Sequence, residues 1–107
     1  MKMRYDTQVL LLTKLQDDDP DGLDHTAQYT SQIVNANVKR TNLTLANGQM
    51  YDATVVRCFG EYTADAIGFI GEYNTDDEST IHQIQKVGRH TNRTDFYIIH
   101  GEVIFHG

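Results

Sequence analysis

The acids near the start of this 107-residue chain are spaced as if for cation chemistry. Asp17, Asp19 and Asp21, followed by Gly22, reproduce the first half of a calcium-binding loop, D-x-D-x-D-G, in which alternating oxygens converge on a hard cation and the glycine permits the turn. The second half departs from that pattern. Its twelfth position is Gln28 where a bidentate Glu is required, Pro20 stands inside the loop, and the flanks read as strands instead of helices. With Asp18 and Asp24, the run reads as a solvated acidic loop with weak, opportunistic cation affinity. Lys86, Arg89, His90 and Arg93, close to Phe96 and Tyr97, form the basic counterpart. Cations beside aromatic rings are what an oligonucleotide-binding barrel uses for phosphates and stacking, and the same cations serve equally to pair with an acidic loop of this or a neighbouring subunit.

Other reactive side chains point away from catalysis. His25, His82, His90, His100 and His106 invite a metal reading if His82 and His100 face each other across two strands, but two imidazoles without a third protein ligand do not make a site, so no cofactor is expected. The single cysteine, Cys58, excludes an internal disulfide and a CxxC pair; it reads as a small core hydrophobe. Neither a nucleophile motif nor GxGxxG nor GxxxxGK[ST] occurs, and an enzyme is not expected.

Charge bounds the partners. Fifteen acids against nine Lys and Arg give a net charge of −6. Asp17 to Asp24 together with Asp76, Asp77 and Glu78 hold eight of those acids, which leaves the rest of the chain slightly positive. A negative protein repels nucleic acid on average, because DNA affinity comes from cations that displace condensed counterions. A protein interface is therefore the stronger expectation for the basic cluster. The opening MKMRYDTQVLLL has too short an apolar run for a secretory signal, so no membrane contact is expected and Asn42 and Asn92 read as ordinary loop residues despite their glycosylation spacing.

The elements that must position these groups are short. Apolar runs VLLL, TVV, IGFIG, FYII and VIF are separated by Gly, Asn and Asp, with no sustained 3.6-residue stripe. The fold class is mainly β, a small single-domain barrel or sandwich over residues 1–107 with long polar loops, of which 16–29 is the acidic, flexible one. Strands are expected over Arg4–Leu15, Ser31–Val38, Ala53–Tyr62 and Ala66–Tyr73, with a hairpin turn at Asn47-Gly48 and a helical turn allowed around Thr63–Ala66. Apolar residues on both faces of the first strand imply that its middle is covered from two sides.

Ser79 to Phe105 reads as a terminal hairpin. A five-residue loop over Arg89–Arg93 pairs Ile84 with Ile98, Lys86 with Phe96 and His82 with His100, whereas a tighter turn at Asn92-Arg93 pairs Val87 with Ile98. Ile81, Ile84 and Val87 also stand at helical spacing, so a helix is the third possibility.

The order of parts resembles the head-completion, or stopper, proteins of long-tailed phages, members of the head-tail joining group. The resemblance is carried by the RYDTQVLLL opening strand, the long polar loop, the central ATVVRCFGEYTADAIGFI segment and the closing IHQIQKVGRHTNRTDFYIIHG hairpin with its basic turn. It implies a virion structural protein made in the host cytoplasm and placed at the head-tail interface. There a small barrel forms a homo-oligomeric ring, docks on the portal or adaptor, receives tail proteins and retains packaged DNA as channel cargo. On that reading the Asp17, Asp18, Asp19, Asp21 and Asp24 loop faces the channel or the next ring, and Lys86, Arg89, His90 and Arg93 are interface residues. A tail terminator or adaptor of the same connector is a related possibility. From a different class, a small cation- or ligand-binding β module is the competing expectation.

Overall fold

A computed structural model describes residues 4–15 and 29–105, with only the backbone described over 100–105. Six strands follow in order: β1 (Thr7–Lys14), β2 (Tyr29–Thr44), β3 (Met50–Phe59), β4 (Ala66–Phe69), β5 (His82–His90) and β6 (Arg93–Phe105). All neighbours are antiparallel, and the order β1-β2-β3-β6-β5-β4 closes into a barrel because β4 pairs back onto β1. A mainly β, barrel-forming chain is what the interrupted apolar runs require, and closure removes most of the unpaired edge that an open sheet would carry.

The core follows from period-two alternation. Val9 and Leu11 of β1, Val34 and Ala36 of β2, Val56 and Cys58 of β3, Ile67 of β4, and Phe96 and Ile98 of β6 all point inward and are buried. Partly buried Val38, Tyr62, Ala64, Phe69 and Ile84 pack against them. Leu12 faces the opposite way from Leu11 and is also fully buried, so the middle of β1 is covered on both faces as expected.

Several element bounds differ from the sequence reading. β2 runs six residues past Val38, because every residue from Lys39 to Thr44 continues to pair with β3, down to Thr44↔Met50. The turn that joins them is a type I turn with a glycine bulge: the Leu45 carbonyl accepts from Gly48 N–H at 2.9 Å, Leu45 N–H donates to the Gln49 carbonyl at 3.1 Å, and Gly48 takes φ +81°. β3 stops at Phe59, where Gly60 at φ +123° turns the chain. β4 covers only four residues and ends where Gly71, at φ +86°, turns the backbone. No helical turn forms around Thr63–Ala66; a single 3₁₀ turn lies instead at Glu78–Thr80, capped by the Asp77 carboxylate, which accepts from Ser79 N–H and Oγ.

The closing segment is a hairpin of strands, which excludes the helix reading of Ile81, Ile84 and Val87. Its loop is only Thr91-Asn92, with His90 opposite Arg93 and Asn92 in the left-handed region at φ 61°. Near the turn this register places Val87 opposite Phe96 and Gly88 opposite Asp95; a bulge at Gln85 then shifts the strand by one residue, so that Ile84 meets Ile98 as expected while Lys86 meets Tyr97 instead of Phe96. His82 does not face His100. It pairs with Ile67 of β4, because β5 leaves β6 at Ile84 to close the barrel.

Candidate functional site

The strand registers assemble the basic residues. Arg57 of β3 and Gly88 of β5 stand on either side of Asp95 of β6; one step toward the turn, Phe59 and His90 flank Arg93; one step the other way, Val55 and Lys86 flank Tyr97, with Lys39 of β2 beyond Val55. Alternation places these residues on the face opposite Val56, Cys58, Phe96 and Ile98, hence on the outside of the barrel. Four Lys and Arg residues and one His therefore share three rows with a single acid.

That acid is a buried charge. Asp95 is only 2% exposed although it sits on the outer face, because its own cations cover it. Arg93 donates through Nη2 to Oδ2 at 3.2 Å, and its Nε stands 2.9 Å from Oδ1, off the line of a good hydrogen bond. His90 Nε2 lies 3.3 Å from Oδ2, and Arg57 Nε approaches Oδ2 at 3.9 Å as an ion pair with no hydrogen bond. Gly88 stands beside His90 and the carboxylate, and a β-carbon there would meet His90 Nε2 at 3.5 Å and Asp95 Cβ at 3.7 Å, both ordinary contact distances. The Asp95 charge also acts through the sheet. Burial first, and the nearby Asp95 carboxylate second, push the Cys58 thiol up to about 11, so it stays protonated and unreactive at neutral pH.

The same hairpin closes one end of the barrel. Thr94 Oγ1 donates to the Gly60 carbonyl at 2.8 Å and accepts from Tyr62 N–H at 3.2 Å, and Gly60 N–H donates to the Asn92 carbonyl at 2.9 Å. Arg89 reaches over this end and donates to the Tyr62 carbonyl at 3.1 Å. Lys86 instead extends along the outer face, with Nζ 5.8 Å from the centre of the Tyr97 ring.

No protein-family model, curated protein or solved structure matches this chain.

Of the residues singled out in the sequence, the structure brings Lys86, His90 and Arg93 to one outer face and turns Arg89 toward the barrel end. Asp17, Asp18, Asp19, Asp21 and Asp24 lie outside the described residues, as do His25, His106 and the side chain of His100. Among the described residues no three His, Cys, Asp or Glu side chains are grouped to hold a metal ion. A shallow groove beside the start of β1, walled by Tyr5, Asp6, Phe69 and Ile70, is lined by one acid with no base beside it. The residue that sequence reasoning missed is Asp95. Its signal was present: an acid between Thr94 and Phe96 in an apolar strand, two residues from Arg93 and so on the same face, opposes burial unless cations meet it.

Proposed function

We propose that the protein is a structural subunit that works by contact with other polypeptides, as a stopper-like ring at the connector between a phage head and its tail. The observation that carries this reading is the charge of the outer face over β2, β3, β6 and β5. On a chain of net charge −6, that face offers Lys39, Arg57, Lys86, His90 and Arg93, and among the described side chains of those rows only Asp95 opposes them. Guanidinium groups held rigid by a buried carboxylate, bordered by exposed lysines and by Phe59, which is 65% exposed, are the chemistry of an interface that receives an acidic polypeptide. The barrel interior is filled by side chains, so the described part offers surfaces for docking in place of a closed cleft.

The order of a barrel strand, a long acidic connection, a central strand pair and a basic closing hairpin also supports the connector reading. Its partners would be further copies of the chain, a portal or adaptor on one side and tail proteins on the other, with DNA passing as cargo. The face rests on exposed lysines that take no part in the core, which makes it testable without unfolding. Deleting the gene in its own genome and complementing it is expected to show separated heads and tails by electron microscopy, rescued by the wild type and not by Lys39→Glu combined with Lys86→Glu. Joined, infectious particles with the double variant would refute the role of this face. A rise in melting temperature on adding calcium to the purified chain would instead favour the cation-binding module.

A further inference from the structure

Not all of the sheet edge is used by the barrel. β1 pairs with β2 only as far as Thr7↔Ala36, and beyond that point the described part of β2 is paired on one side alone, by β3. On the far side of β3, β6 loses β5 after Ile84↔Ile98 and continues to Phe105 beside β3 alone. The barrel thus carries a three-stranded arm, β2-β3-β6, with an edge on each side that no described strand covers.

The hydrogen-bonding phase of the β2 edge can be read from the turn. Leu45 N–H donates to the Gln49 carbonyl, which marks these two as a bonded pair, and the register from Thr44↔Met50 to Ala36↔Cys58 is unbroken. In an antiparallel ladder bonded residues alternate, so Leu43, Thr41 and Lys39 bond to β3. Val38, Arg40, Asn42 and Thr44 therefore direct their N–H and C=O groups outward, in phase with Ala36, the last residue that β1 covers.

We propose that this β2 edge, Val38 to Thr44, receives the β6 edge, residues 99–105, of a second copy of the chain. Two observations choose that occupant. The open edges lie on opposite sides of one arm, so a second arm added to the first continues the same sheet and leaves a fresh edge at each end; two register shifts make residues 99–105 of β6 span only Met50 to Ala53 of β3, so that edge meets part of the β2 edge. Their sequences are complementary in charge: VKRTNLT has no acid and two cations, Lys39, which is exposed, and Arg40, which also pairs with Asp52 of β3, whereas IHGEVIF has one acid and no Lys or Arg. Pairing of unlike edges is a head-to-tail contact, which closes into a ring when the rotation per copy permits and otherwise extends as a filament. The inference deepens the ring reading and rests on it for the identity of the occupant as a second copy.

The test is Asn42→Pro. Asn42 is exposed and its N–H points away from β3, so proline removes an edge donor without breaking the β2–β3 ladder. Sedimentation of the purified wild type is expected to show self-association that grows with concentration, and Asn42→Pro is expected to abolish it while keeping the wild-type circular dichroism. Thr41→Pro, which deletes a donor to β3, is expected to lose the fold. A wild type that stays monomeric at every concentration overturns the inference, as does an Asn42→Pro variant that associates like the wild type; in the second case a ring built through another surface still stands. Should Asn42→Pro fail to fold, hydrogen exchange decides. The amides of Val38, Arg40, Asn42 and Thr44 in the wild type must slow as concentration rises, and concentration-independent exchange there refutes the pairing.

Discussion

Replacing Asp95 by alanine is the sharpest perturbation of the basic face. The carboxylate is buried, and its loss leaves the guanidiniums of Arg57 and Arg93, only 27% and 30% exposed, beside each other without a counter-charge. The hydrogen bond from Arg93 is charge-assisted and contributes about 1.5–3 kcal/mol. The longer Arg57 approach adds roughly 0.2–1 kcal/mol, because at 3.9 Å and part exposure water screens it. His90, half exposed, contributes little and only when protonated. The sum is a loss of about 2–4 kcal/mol, below the 3–5 kcal/mol typical of breaking a fully buried pair because the stranded cations can turn toward solvent. In a urea titration the midpoint should fall by roughly 1–3 M with an unchanged slope. Arg93→Ala should cost less, and the double variant Asp95→Ala with Arg93→Ala should recover part of the loss, with a coupling of about 0.5–3 kcal/mol. A loss under about 0.5 kcal/mol for Asp95→Ala, or strict additivity in the cycle, would refute the claim that this carboxylate holds the face together.

Two further outcomes follow from the same region. Cys58 is expected to resist alkylation at pH 8 in the native protein and to react at once in denaturant. Since the folded thiol ionises near 11 and the unfolded one near 9.0, the unfolded state binds fewer protons between those values, so stability should fall as pH rises through that window and Cys58→Ala should flatten the fall. Thr94→Val keeps the side-chain volume but removes the oxygen shared by Gly60 and Tyr62; a loss of about 1–3 kcal/mol is expected in denaturant unfolding, together with faster exchange of the Tyr62 amide.

Much of the fold was legible because period-two patterning is local. The runs around Val9, Val56 and Phe96 announce strands wherever they are placed, and Asn47-Gly48 announces its turn with the glycine in the conformation that only glycine takes without strain. What was not legible depended on partners distant in sequence. Of the six extra residues of β2 only Leu43 is apolar, so the expected strand stops at Val38; they become strand because β3 offers a ladder through Thr44. The register of the last hairpin turned on a bulge at Gln85, and a bulge leaves no mark in a sequence that already contains several apolar spacings. The basic cluster was visible as a list of charges, but its centre was not: Asp95 is one acid among fifteen until the register brings Arg57 from across the sheet to meet it.

The shortness of β4 has a mechanical consequence. The circle of strands is completed through four residues, and only Ala66 and Ile67 join β4 to β5, whereas nine registered pairs join β3 to β6. A closed cylinder parts first where its ladder is thinnest, so thermal breathing of this domain begins as a slit between β4 and β5. The opposite wall, made of β2, β3 and β6, stays paired during such an opening. Cys58 and Phe96 on that wall would meet water through the slit before any strand of the wall itself separates.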